Sequence, residues 1–215
     1  MKEKQNLLIL GAGGFAKSIG DAAHDTGVFN VFGYVVNIPP FERDSYLGGK
    51  PVFWIDQLED VDKDCVVACG LGSMKRIKFI EDVLSMGFQF TNIIHPTAYV
   101  SSIVELGVGI FINSGSQIAS DASLSDHVII NRGALIGHGV RIGMYSVISP
   151  GVNIASNVHI GARTKIGIGA IIIDQVKIGN NCFVGAGALI TRDVPDNVKV
   201  VGMPARIIER NIGVD

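Results

Sequence analysis

The sequence predicts two architectures in one chain: a small Rossmann-like α/β domain over residues 1–95, then a parallel β-helix over residues 96–202 with a short tail, 203–215. Three observations predict it. Short apolar runs alternate with helical patterns up to His95-Pro96. Beyond Pro96 an aliphatic residue recurs every six positions for about ninety residues. The 215 residues are 47% hydrophobic and only 18% charged, which gives a chain of this length ample apolar surface for a core and excludes a disordered one.

The elements follow in order. Asn6–Leu10 (NLLIL) is an apolar run closed by GAGG, the pattern of a buried parallel strand. From Phe15 to His24 the residues Ala16, Ile19, Ala22 and Ala23 keep a helical period. Residues 30–36 form a second expected strand and residues 64–69 (DCVVAC) a third. Over 73–85, Met74, Ile77, Ile80 and Leu84 return to helical spacing, and residues 88–94 lead into the boundary. Strands that alternate with helices over so short a length imply a small parallel sheet.

Stepping by six from Val100 meets Leu106, Ile112, Ile118, Leu124, Ile130, Ile136, Ile142, Ile148, Ile154, Ile160, Ile166, Ile172, Ile178, Val184 and Ile190. Neither a helix nor a lone strand has this period. A prism with three flat faces per coil does: one aliphatic residue per face points inward and stacks on the residue eighteen further on. The small residue after each, such as Gly137 or Gly143, is expected at a turn needing positive φ.

Composition narrows the partners. Eighteen basic against twenty acidic residues leave a net charge of −2, with no basic field for nucleic acid or an anionic membrane. No apolar run approaches the ~18–20 residues of a membrane span, and Leu7–Leu10 is too short for a signal peptide. Cys65, Cys69 and Cys182 are odd in number and lack CxxC spacing, so a reduced cytoplasmic protein is expected, without a disulfide framework.

Gly11-Ala12-Gly13-Gly14-Phe15-Ala16-Lys17 lies between a strand and a helix, where backbone N–H groups and the helix dipole favour a phosphate. The second strand ends Val35-Val36-Asn37, without the carboxylate that would hold a dinucleotide ribose, which argues against NAD. Among five histidines, His138 stands out, flanked by Gly137 and Gly139 beside an expected turn. A histidine suits a reaction that removes a proton near neutral pH. His24, at a helix end, and His95, at the domain junction, are expected to be structural; His127 and His159 are expected at the surface.

The hexapeptide units at Ile142-Gly143, Ile160-Gly161 and Ile178-Gly179 are similar to those of the hexapeptide-repeat acyltransferases. Together, LILGAGGFAK at 8–17, IIHPTAYVS at 93–101, NRGALIGHGVRIG at 131–143 and VVGMPARII at 200–208 resemble the sugar acetyltransferases of the sialic acid O-acetyltransferase and bacillosamine N-acetyltransferase group. The resemblance covers nearly the whole chain. It implies a left-handed β-helix, a homotrimer, acetyl-CoA as donor, no metal, and a nucleotide-linked amino sugar of surface glycan synthesis as acceptor. It implies His138 as general base and Gly13, Gly14, Phe15, Asn37 and Gly70 as substrate contacts. It also implies an oxyanion donor at the Ser156 amide, with Ile168, Gly169 and Ala186 lining the groove for the pantetheine arm.

The chain departs from the pattern in two places. Many members carry an acid directly after the histidine, where this chain has Gly139; stacking by eighteen makes Asp121 a candidate to orient the ring instead. A second histidine of the pattern, which contacts the donor, is Val147 here. Arg163, Lys165 and Arg206 are candidates for CoA phosphates. Three other readings are open: O-acetylation of a sialic acid, a non-catalytic nucleotide-sugar binding protein, and a zinc hydratase. The last needs three converging histidines, which the spacings of His127, His138 and His159 do not supply.

Overall fold

The computed structural model describes residues 4–37 and 46–211, in two compact units that divide between Pro96 and Thr97. Residues 212–215, the end of the expected tail, lie outside the described residues.

The first unit is built on strand β1 (Gln5–Leu10), helix α1 (Gly14–Asp25), β2 (Phe29–Val36), β3 (Tyr46–Leu47), β4 (Lys50–Trp54), β5 (Val66–Cys69), helix α2 (Arg76–Ser85) and β6 (Gln89–Phe90). Leu7 to Leu10 are fully buried, as a strand covered on both faces requires. Helix α1 buries Ala16, Ile19, Ala22 and Ala23, the stripe its spacing predicts. The sheet order is β3-β4-β2-β1-β5-β6. Strand β4 runs parallel to β2 and was missed in the sequence. Its five residues are all only half-buried, so no alternation of apolar and polar positions marks it. The expected third strand is therefore the fifth. Helix α2 begins at Arg76 because residues 73–75 form a turn that precedes it.

In the second unit three parallel sheets make the faces of a prism. The first face carries Phe111–Ile112, Ile129–Ile130, Val147–Ile148, Lys165–Ile166 and Phe183–Val184. The second runs from Tyr99–Val100 through Gln117–Ile118, Leu135–Ile136, Asn153–Ile154 and Ile171–Ile172 to Leu189–Ile190. The third runs from Glu105–Leu106 to Lys177–Ile178. The register is a constant eighteen residues, Ile112 on Ile130 on Ile148 on Ile166 on Val184. From Ile112 onward every member of the six-residue series is buried, while Val100 and Leu106 at the open end are half-buried.

Two residues per face point inward, not the one expected. The second is the small or β-branched residue two places before each aliphatic one: Ala134, Val140, Ser146, Val152, Val158 and Thr164 are all fully buried. The hydroxyls there are satisfied along the stack. Ser146 Oγ donates to the Gly161 carbonyl at 2.7 Å and accepts from the Thr164 amide at 3.0 Å, and Thr164 repeats the arrangement one coil on.

The glycine that follows each aliphatic residue is not there for positive φ. A Cβ on Gly137 would lie 2.7 Å from the Ala155 carbonyl carbon, so contact with the next coil demands glycine. Positive φ falls two residues later, in columns such as Asp121, Gly139, Asn157 and Gln175. The regularity ends after Ile190, where Val194 sits beside Ile178 and Val200 pairs with Val184, both sixteen residues on. The expected tail is in part a strand: Ala205–Arg210 pairs antiparallel with Val198–Gly202.

Candidate active site

The glycine loop sits where strand order reverses. Strands β2 and β5 flank β1, and the chain leaves β1 at Gly11, whose N–H bonds the Val35 carbonyl at 2.7 Å, while Gly70 N–H bonds the Leu10 carbonyl at 2.7 Å. Ligands of open parallel sheets bind in this crevice at the carboxyl ends of the strands. Gly13, Gly14 and Phe15 follow β1 and open α1, Asn37 follows β2 and Gly70 follows β5, so topology gathers all five expected substrate contacts there.

Their reasons differ. A Cβ on Gly13 or Gly14 would meet nothing within 4 Å, so internal packing does not require glycine at either position. Gly13 is the N-cap of α1 with extended backbone and no side-chain cap, at the helix end whose dipole favours an anion. Gly70 is a packing glycine: a Cβ there would lie 2.6 Å from Ala16 Cα. Asn37 is exposed and Phe15 half-buried.

On the β-helix, His138 and Ser156 occupy the same corner position on successive coils, between the second and third faces. His138 is exposed and its Nδ1 lies 3.1 Å from Ser156 Oγ. The Asn157 amide donates to the His138 carbonyl at 2.9 Å, locking that register. Asp121 falls in the adjoining column with Gly139, and the side-chain partner of the ring is Ser156, one coil the other way. Adding eighteen to His138, rather than subtracting it from Gly139, finds this pair.

Ile168, Gly169 and Ala186 gather at a different corner, between the first and second faces. There Ile168 is 61% exposed and its carbonyl accepts from the Gly187 amide at 2.8 Å. The two clusters thus bound opposite edges of the second face and are not brought together within one chain. That face presents Tyr99, Leu135, Ile171 and Ile173 as exposed apolar side chains.

The other histidines have surroundings of their own, each within its own unit. His127, expected at the surface, is buried, stacked on Tyr145 with ring centroids 5.2 Å apart. The cause is the eighteen-residue repeat, which places an aromatic ring over it. His95 Nε2 lies 3.3 Å from Asp25 at the end of α1, His24 is paired weakly to the same aspartate, and His159 is exposed on a third-face strand. Among the described residues, no group of three His, Cys, Asp or Glu side chains is placed to hold a metal ion. Val147 is buried on the first face. Cys65, Cys69 and Cys182 are free and buried, and desolvation pushes each thiol above its ordinary range, so none is poised as a thiolate nucleophile. Among the described residues, no helix is long and apolar enough to cross a membrane.

Comparison with known proteins matches both units. Residues 6–83 fit the family described as PglD N-terminal domain, and residues 133–167 and 157–192 fit bacterial transferase hexapeptide (six repeats). The perosamine N-acetyltransferase of Caulobacter crescentus, solved with CoA and GDP-perosamine, is 32% identical over 95% of this chain and 97% of its own, with a TM-score of 0.88. The acetyltransferase domain of PglB from Neisseria gonorrhoeae, solved with acetyl coenzyme A, is 28% identical over 96% of this chain and 100% of its own, with a TM-score of 0.87. No curated protein matches.

Proposed function

Because the chain belongs to the hexapeptide-repeat sugar acetyltransferases, we propose that it moves the acetyl group of acetyl-CoA onto the amine of a nucleotide-linked amino sugar of surface glycan synthesis, with His138 as general base. The observation that carries the reading is the end-to-end likeness to an enzyme solved with CoA and a nucleotide-linked amino sugar. The glycine loop is assigned the nucleotide, since a pyrophosphate suits the positive end of the helix dipole at the start of α1. Cytoplasmic location fits three free thiols.

In this mechanism the neutral amine attacks the thioester carbonyl carbon. The N–C bond forms, the carbonyl π pair moves to oxygen, and His138 Nε2 takes the proton from nitrogen. The Ser156 amide is assigned to the oxyanion. Collapse re-forms the carbonyl and breaks the C–S bond, and the departing thiolate takes the proton back from His138. Products are the acetamido sugar and CoA.

The test is a screen of GDP-, UDP- and dTDP-linked 4-amino sugars beside free sialic acid, with acetyl-CoA and detection of released thiol. A nucleotide-linked amine is expected to react with far higher kcat/KM than free sialic acid. Equal activity on the free sugar would overturn the acceptor assignment and favour O-acetylation, and no thiol release with any acceptor would favour a binding protein.

Assembly completes the site in this reading. Three prisms packed with their second faces toward a common axis bury Tyr99, Leu135 and Ile171, and bring the His138 corner of one protomer against the Ile168 corner of the next. Light scattering at micromolar concentration is expected to give a trimer; a monomer with full activity would remove this account of the donor groove.

A further inference from the structure

Building on the reading of His138 as base, we infer that the Ser156 hydroxyl is its positioning group, accepting a hydrogen bond from Nδ1–H so that the Nε2 lone pair is left for the acceptor amine. The 3.1 Å contact between Ser156 Oγ and His138 Nδ1 is the one side-chain hydrogen bond of this ring among the described residues. It matters because a neutral imidazole carries its proton on only one nitrogen, and the group facing the other nitrogen sets which. With the proton on Nε2 the lone pair would face Ser156, and the ring could not take a proton at its open edge.

A hydroxyl can donate or accept, and the role of Nε2 as base sets which: Nδ1 then carries the ring proton and Oγ accepts it. Ser156 is half-buried, so its own hydroxyl proton stays open to solvent. The Gln175 amide donates to the Ser156 carbonyl at 2.9 Å, just as the Asn157 amide donates to the His138 carbonyl. The corner column therefore reads Ser120, His138, Ser156, Asp174. Asp174 occupies the position one coil beyond Ser156 and is exposed. Its side-chain hydrogen bond among the described residues comes from Gln175 Nε2 at 3.5 Å and not from Ser156, whose Oγ meets His138, so the pair of ring and hydroxyl stands without a carboxylate behind it. The residue after His138 is Gly139, with no side chain to supply one, and Asp121 belongs to the adjoining column.

The experiment uses the full chain labelled with ¹⁵N-histidine, and reads the ring nitrogens by long-range proton–nitrogen correlation at a pH where the ring is neutral. His138 is assigned by the signal lost in His138→Gln. The wild-type ring is expected as the Nδ1–H tautomer, Ser156→Ala as a mixture shifted toward Nε2–H, and Ser156→Thr as wild type. Kinetically, Ser156→Ala keeps its amide and so loses about tenfold in kcat, the rate equivalent of one net hydrogen bond, with KM for acetyl-CoA unchanged. Ser156→Thr recovers most of this.

An Nε2–H tautomer in the wild type, or Ser156→Ala with wild-type tautomer and kcat, overturns the inference. A Ser156→Ala defect that threonine does not rescue also overturns it. The tautomer measurement needs no turnover, so its failure is distinguishable from failure of the base assignment, which the turnover of His138 variants tests.

Discussion

Replacing His138 with alanine is expected to lower kcat by roughly 10²–10⁴, the usual contribution of a general base, with the fold unchanged. The structure makes the experiment clean. The side chain is exposed at a corner, its one side-chain hydrogen bond among the described residues is to Ser156 Oγ, and the aliphatic stack lies beneath it. The residue's carbonyl, which accepts from the Asn157 amide, survives the substitution, so the coil keeps its register. Steady-state kinetics with a nucleotide-linked amino sugar, beside a melting curve, provide the check. Near-normal turnover would mean that the amine sheds its proton to solvent or to another group, and would end the assignment of His138 as base.

The second large effect is expected at the glycine loop. Gly13→Leu should raise KM for the nucleotide-linked sugar about ten- to a hundredfold, the equivalent of the roughly 1–3 kcal/mol that overpacking an occupied site costs. KM for acetyl-CoA should hardly move. The discriminating power comes from what the free protein leaves empty. Gly13 has extended backbone that any residue adopts, and an added Cβ meets no atom within 4 Å, so the substitution starts without a backbone or Cβ clash. A rise in KM for the sugar with the melting curve unchanged is therefore exerted on the ligand. Gly70 offers no such test, because a Cβ there strikes α1 at Ala16 whether or not a ligand is bound. A Gly13→Leu protein that loses only acetyl-CoA affinity would overturn the assignment of the loop to the nucleotide.

The core of the β-helix was legible from the chain alone. The aliphatic series ending at Ile190 states its own periodicity, and from Ile112 onward each member is buried, because only a coil of eighteen residues stacks such a series on itself. Strand β1, helix α1 and the open loop between them were equally readable, since Leu7 to Leu10 and the stripe from Ala16 to Ala23 are local patterns whose burial follows from spacing. Strand β4 was not. Its five half-buried residues carry no period, and pairing with β2 alone makes them a strand.

The candidate site divides in the same way. His138 is visible in sequence as a histidine between glycines, and the gathering of Gly13, Asn37 and Gly70 follows from strand order once the sheet is known. The burial of His127 under Tyr145, the engagement of His138 by Ser156 rather than Asp121, and the need for glycine at 137 all arise between residues eighteen apart. A six-residue repeat says that coils stack, but it does not say which neighbour, above or below, a corner side chain will reach. That choice depends on the direction each side chain leaves a corner, where alternate backbone conformations put His138 in one column and Gly139 in the next, and only the folded coil sets it.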